Sequence, residues 1–242
     1  MGISPLAIVS PEALLGDGVE IGAFTLVHAG VQIGTGSRIG SHCELGLPTP
    51  LAEGAGLTIG AGALIRSHTV FYAGSAFGAR LETGHHVTVR ERTQAGDGLR
   101  LGTGCDIQGD CSFGDHARLH SNVFVPKGCR IGRCAWLMPG VVLTNDPTPP
   151  SEVTLGCTVG DFAVVCAAAL LLPGVRVGDH AVVAAKACVR EDVAPGMLVA
   201  GVPARVIGST DRVRLRAPLD GPAYPWTAHF SRGYPPGAFD PQ

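Results

Sequence analysis

An aliphatic residue recurs at every sixth position along most of this chain. Cut into sixes, it reads LGDGVE IGAFTL VHAGVQ IGTGSR IGSHCE LGLPTP over residues 15–50 and resumes at Ile59 with IGAGAL IRSHTV FYAGSA. The phase holds to LTNDPT from Leu143 and restarts at Val159 with VGDFAV VCAAAL LLPGVR. Of twenty-seven such units, twenty-five open with Leu, Ile, Val or Phe, and Gly follows the opener in fourteen. Thr83 and Ala95 are the two exceptions. A period of six is foreign to an amphipathic helix, whose buried stripe recurs near 3.6. It fits short strands joined by turns, with the opener aimed into a core and glycine supplying tight or left-handed backbone. No unit buries its apolar side alone, so neighbours must stack into a parallel β-helix. A β-sandwich with Gly-rich turns would not hold a six-residue phase for so long.

Three units per coil make about nine triangular coils, a prism about 40 Å long at roughly 4.8 Å between strands. The inward column is expected to include Ile59, Ile65, Phe71 and Phe77, with almost no helix before the C-terminal region. Crossover statistics favour right-handed connections, so the period by itself leaves handedness open.

The count breaks twice. Leu143 and Val159 are both openers, yet sixteen residues separate them, so a loop of about ten residues (about 144–158) leaves the prism. Its Thr-Asn-Asp and Pro-Thr-Pro-Pro resist strand pairing, and solenoids gather insertions on one side, often the binding side. The other break, LPTPLAEGAGLT at 47–58, carries few groups suited to chemistry. Residues 1–208 read as the β-helix domain with its closing segment. Residues 209–242 read as a C-terminal extension packed on the coil or on a neighbouring subunit.

Composition narrows the partners. Charged residues are 16% and the formal net charge is −2, which suits no nucleic-acid groove. No apolar run approaches a membrane span, and the N-terminus lacks a basic leader, so a cytoplasmic protein is expected. Cys43, Cys105, Cys111 and Cys129 each fall four residues after an opener, where other units hold Ala, Val or Ser. They read as small packing residues, with neither a disulfide framework nor a zinc motif among the eight cysteines.

The repeated [LIV]-G-x-x-x-x and the closing VVAAKACVREDVAPGMLVAGVPARVIG (182–208), with its Gly201, Pro203 and Ala204, resemble the bacterial hexapeptide-repeat acyltransferases. The segments TGHHVTVRE (83–91), LHSNVFVP (119–126) and LTNDPTPPS (143–151) are similar to sugar and nucleotide-sugar acetyltransferases of that family. The resemblance covers about residues 15–208. It implies a left-handed parallel β-helix, a homotrimer, and an acyl-CoA bound between adjacent subunits. It also implies acetyl transfer from acetyl-CoA to an amino group of a sugar or nucleotide-linked sugar, by direct attack on the thioester.

Within that frame the eighteen-residue phase puts His68, His86 and Asn122 in one column, with His85 and His120 in adjacent columns at the same corner. Histidine takes and returns a proton near neutral pH, so His120, His85 and His86 are the candidate catalytic residues. His85 matches the family histidine in TGHHV, and His120 lies in the similar LHSNV segment. Asn122 and Asn145 are candidates for orienting the acceptor, and Asp146 or Glu91 for holding a charged group or a histidine tautomer. Lys186, Arg190 and Arg205 are candidates for the donor's phosphates.

Three other readings compete. O-acetylation of a sugar hydroxyl uses the same groups, and a noncatalytic scaffold needs none of them. A zinc enzyme of the carbonic-anhydrase type built on this solenoid needs histidines thirty-six residues apart. Thirty-six residues beyond His68, His85 and His86 stand Gly104, Ser121 and Asn122, so no metal ligand is assigned.

Overall fold

In the computed structural model, which describes residues 2–224, the six-residue phase becomes three flat faces. The first face has eleven strands, beginning Glu20–Ile21, Arg38–Ile39 and Leu64–Ile65. The second has ten, from Ile8–Val9 to Cys188–Val189, and the third has nine, from Leu14–Leu15 to Arg176–Val177. Away from the two breaks and the closing segment, successive strands of a face pair in parallel at a register of eighteen residues, as in Thr88↔Asp106 and Val89↔Ile107. Met197–Gly201 pairs antiparallel with Ala204–Ser209, a hairpin that closes the first face.

The openers point inward. Ile59, Ile65, Phe71 and Phe77 are all buried, one face after another, as the period requires. The second inward position holds Cys43, Cys105, Cys111 and Cys129 beside Ala63, Ala117 and Ala135, all buried. The eight cysteines are free thiols, and burial raises the thiol of Cys105 and of Cys111 to about 11. Cys157 stacks on Cys129, its backbone N–H donating to Cys129 Sγ at 3.3 Å.

Both exceptional openers have packing reasons. Ala95 pairs between Phe77 and Phe113 on the third face, where a small residue lets two rings share the core. Thr83 is fully buried, and its Oγ1 accepts the Arg66 N–H at 3.0 Å. Its hydroxyl is therefore satisfied.

The expected nine coils are too few. The solenoid already runs through Ile3, which bridges to Ile21, and through the strands Ile8–Val9 and Leu14–Leu15. There the glycine after the opener is replaced by Ser4 and Ser10, each followed by proline. The spacing survives while the usual residue signature does not. One short 3-10 turn, Pro50–Ala52, is the helical element before the C-terminal region.

The turns define three corners. Between the third and first faces, Gly follows the opener in nine coils, from Gly16 to Gly178, because the next coil passes close by. A Cβ on Gly132 would lie 2.6 Å from the Gly160 carbonyl carbon and 2.7 Å from Asp161 N. At this glycine corner an aspartate of one coil caps the previous coil. Asp97 Oδ1 accepts from Ala79 N–H, Asp115 Oδ1 from Asp97 N–H, and Asp179 Oδ1 from Asp161 N–H, each at 2.8 Å. Between the second and third faces lies the loop corner, where both breaks in the count emerge. The remaining corner, between the first and second faces, carries His42, His68, His85, His86 and His120.

Candidate active site at the histidine corner

At this corner His120 directly follows an opener, His85 stands two places after one, and His86 three. His85 and His120 line one cavity of about 410 Å³ along the edge of the first face, with Thr103 and Ser121 between them. The cavity's first-face wall is charged. Glu82 bridges Arg66 at 3.0 Å and Arg100 at 3.3 Å, and Arg118 lies over the Trp136 ring at 5.1 Å. His120 sits 5.8 Å from the same indole, half-buried, and its Nε2 is enclosed with no hydrogen-bond partner. An imidazolium there would add an N–H to a poorly solvated ring. Burial, and then the nearby charge of Arg118, hold the His120 pKa below the ordinary histidine value. A neutral imidazole at neutral pH is the form that accepts a proton.

His86 does not join that cavity. It occupies the left-handed turn position, φ 55°, as do His42 and His68 in the preceding coils. These rings form a ladder: Phe24 to His42 5.0 Å, His42 to His68 4.9 Å, His68 to His86 4.8 Å. Stacking explains His86 better than proton transfer. Asn122 takes the same turn position two coils on, with Gly104 between.

The acceptor candidates separate in space. Asn145 and Asp146 line a second cavity of about 700 Å³ at the loop corner, with Arg90, Gln108, Phe124 and Lys127. A full face of the prism, six residues or roughly 20 Å of extended chain, divides it from His85 and His120. Asp146 turns inward to its own loop, accepting from Ser151 Oγ at 2.7 Å and from the Thr148 N–H at 3.1 Å. These bonds hold its carboxyl below the usual range. Glu91 is engaged as a structural tie. It is 3% exposed, accepts from Thr49 of the first loop at 2.5 Å, and pairs with Arg90 at 3.1 Å. The sequence could not place it, because nothing periodic marks where residues 47–58 fold back.

The donor candidates also spread out. Lys186 shares the turn position of His86 at the histidine corner, whereas Arg190 begins a turn at the loop corner. Arg205 lies on the terminal hairpin, 3.8 Å from Glu191. Missed by the sequence reading were Arg66, Glu82, Arg100 and Arg118. Each sits beside an opener, and the polar opener Thr83 was the signal that this stretch departs from plain core. Among the described residues no three of His, Cys, Asp and Glu form a group able to hold a metal ion, and no helix is long and apolar enough to cross a membrane. The C-terminal extension is described as far as Tyr224, whose neighbour is Cys166; residues 225–242, where most of that expected packing falls, lie outside the described residues.

Fold and site together define a hexapeptide-repeat solenoid with a histidine-lined cleft at one corner. Residues 12–46 match a family model described as Bacterial transferase hexapeptide (six repeats), and the chain carries the repeat of that family. It is 37% identical over 139 residues to a 2,3,4,5-tetrahydropyridine-2,6-dicarboxylate N-acetyltransferase of Halalkalibacterium halodurans, covering 55% of this chain and 54% of that protein. It is 27% identical over 206 residues to an acyl-[acyl-carrier-protein]–UDP-N-acetylglucosamine O-acyltransferase of Thermodesulfovibrio yellowstonii, covering 85% of this chain and 73% of that one. The chain thus spans about half the length of the first of these relatives. The solved structure of an Arabidopsis UDP-N-acetylglucosamine acyltransferase superposes with a TM-score of 0.71 at 17% identity, over 86% of this chain and 74% of that chain. That likeness fixes the fold as the left-handed parallel β-helix.

Proposed function

We propose that this chain is an acyltransferase that moves an acetyl group from acetyl-CoA to an amino group of a sugar or nucleotide-linked sugar. The observation that carries the reading is the cavity shared by His85 and His120, with the His120 imidazole held neutral. Relatives named as acyltransferases of two kinds support the reaction class.

In the proposed step the acceptor nitrogen attacks the thioester carbonyl, forming the C–N bond. As the tetrahedral intermediate collapses, the C–S bond breaks. The proton lost by the amine passes to His120 and then to the departing thiolate, so the base is regenerated and charge balances. His85, across the cavity, orients the acceptor, and Asn122 follows the lining residue Ser121 in the same turn. Lys186, Arg190 and Arg205 are assigned to the donor's phosphates. Asn145 and Asp146 stand too far from the histidines to act within one chain. In this reading they belong to the neighbouring site of a homotrimer, where the loop corner of one copy meets the histidine corner of the next.

A second reading, O-acylation of a sugar hydroxyl from an acyl-carrier-protein thioester, is favoured by the relative that spans most of the chain. The test is incubation with acetyl-CoA or an acyl-carrier-protein thioester against a panel of amino-sugar nucleotides and their hydroxyl counterparts. Thiol release and product mass are followed together. Acetylated amine from acetyl-CoA supports the first reading, and ester product from the carrier protein supports the second. No thiol release with any pair overturns both.

A further inference from the structure

The ring ladder at the histidine corner stops at His86, one turn position short of Gly104. Phe24, His42, His68 and His86 stack at 4.8–5.0 Å, with interplanar angles of 4° to 26°. The next turn position is Gly104, in the same left-handed conformation (φ 72°) but with no side chain. Beyond it Asn122 leans back over the glycine, so that a Cβ on Gly104 would collide with Asn122 Oδ1. The His86 and Asn122 backbones are two strand spacings apart, roughly 9.6 Å, and one planar layer fits between them once the flexible Asn122 amide swings outward. His86 is exposed, and its neighbour His85 lines the cavity with His120.

We infer that the base of a nucleotide seats on His86 above Gly104, as the next ring of the ladder, with the Asn122 amide at its far edge. Base–aromatic stacking is indifferent to base identity because every base offers a π-face, while the Asn122 amide supplies a donor and an acceptor to the base edge. The attached phosphates and sugar then run past Thr103 and Ser121 toward His85 and His120. His86 is thus a binding platform, distinct in role from the two histidines of the cavity. The inference rests on the acyltransfer reading only for what the nucleotide carries. Two sources share this chemistry: the nucleotide of the acceptor and the adenine nucleotide of the donor.

Calorimetric titration of the intact protein with uridine diphosphate and, separately, with adenosine 3′,5′-bisphosphate tests the seat without any turnover. His86→Ala should weaken the nucleotide that occupies it by about ten- to hundredfold. His86→Phe, which keeps the face and discards the ring nitrogens, should stay within about threefold of the parent, as expected if stacking carries the affinity. Gly104→His, at a turn position where three histidines already sit, should fill the layer and weaken binding as much as His86→Ala. His42→Ala, two rungs away, should change nothing. Tighter response to uridine diphosphate assigns the seat to the acceptor, and to the bisphosphate, to the donor; either supports it. Parental affinity in both His86→Ala and Gly104→His, equal loss in His86→Phe and His86→Ala, or no binding of either nucleotide to the parent overturns it. Intact nucleotide binding with no acyl transfer would sink the acyltransfer reading and leave the seat standing.

Discussion

The glycine corner and the histidine corner turn the same chain through the same angle with different residues. In nine coils the glycine corner admits only glycine after the opener, because the following coil's backbone occupies the space a Cβ would need. At the histidine corner that position is as tight at Gly22, Gly40, Gly84 and Gly102, yet in other coils it holds Arg66, His120, Met138 and Cys166. Where backbones of successive coils press together, the repeat is enforced by excluded volume. Where a turn opens enough to admit a side chain, the same repeat becomes a row of addressable positions. The candidate chemistry stands at the second kind of corner.

The largest expected effect separates the two corners by what is lost. His120→Asn, assayed with saturating donor and acceptor, should lower turnover by about 10²–10⁴-fold while the thermal transition stays near the parent's. Near-parental turnover in His120→Asn, His85→Asn and His86→Asn alike would remove the histidine base. At the glycine corner the loss should be in stability instead. Gly132→Ala should cost about 1–3 kcal/mol by denaturant unfolding, since its Cβ would meet backbone atoms of the next coil. A variant as stable as the parent would mean that the corner has slack.

A subtler contrast concerns the loop corner, where Asp110 bonds Arg92 at 2.9 Å and Lys127 at 2.9 Å. The Arg92 hydrogen bonds, with help from Lys127, lower its carboxyl to about 2. A carboxyl depressed on folding stabilises above its unfolded pKa, near 3.8, and loses that contribution as pH falls through about 2. Asp110→Asn should therefore unfold more easily at neutral pH and show a flatter stability loss between about pH 4 and 2. Identical curves for the two proteins would show the cluster to be solvent-screened. The smallest expected effect is in the pH profile. Because burial and Arg118 disfavour the His120 imidazolium, the acid limb of kcat/KM should lie below the ordinary histidine value of about 6.5. A limb at or above that value would detach it from His120.

How far the sequence reaches follows from what the period encodes. It specifies which residues face inward, so Ile59, Phe71 and the packing cysteines were placed, and it specifies which share a corner, so His85 and His120 were paired. It underspecifies anything decided by neighbouring chain off the lattice. Glu91 sits at an outward phase, yet it is buried because the Thr49 loop folds over it. Asn145 and Asp146 carry the right chemistry, yet their loop leaves the prism a whole face away from the histidines. His86 has the right phase for the site and a different occupation, because ring stacking along the turn column is a relation between coils that spacing alone does not describe. The N-terminal coil keeps the spacing of Ile3, Val9 and Leu15 without the glycine signature, so the repeat is not legible there.

The direction of the hydrogen bonds between coils has a consequence for synthesis. Gly16 N–H bonds the Ile33 carbonyl, Gly34 N–H the Ile59 carbonyl, and Gly60 N–H the Phe77 carbonyl, so after each opener a coil donates to the coil that follows it, whereas turn residues such as Gly36, His42 and Asn122 donate back to the coil before. The aspartate caps run the same way, with Asp97 receiving from Ala79 and Asp115 from Asp97. A coil leaving the ribosome therefore holds unmet donors until the next eighteen residues emerge, and each new coil completes the one before it. These forward donors are met in chain order, and the terminal hairpin covers the last strand of the first face. The proline-rich excursion after Leu143 imposes a pause in that sequence, ten residues during which the coil carrying Val142 waits for its acceptor on Ala169.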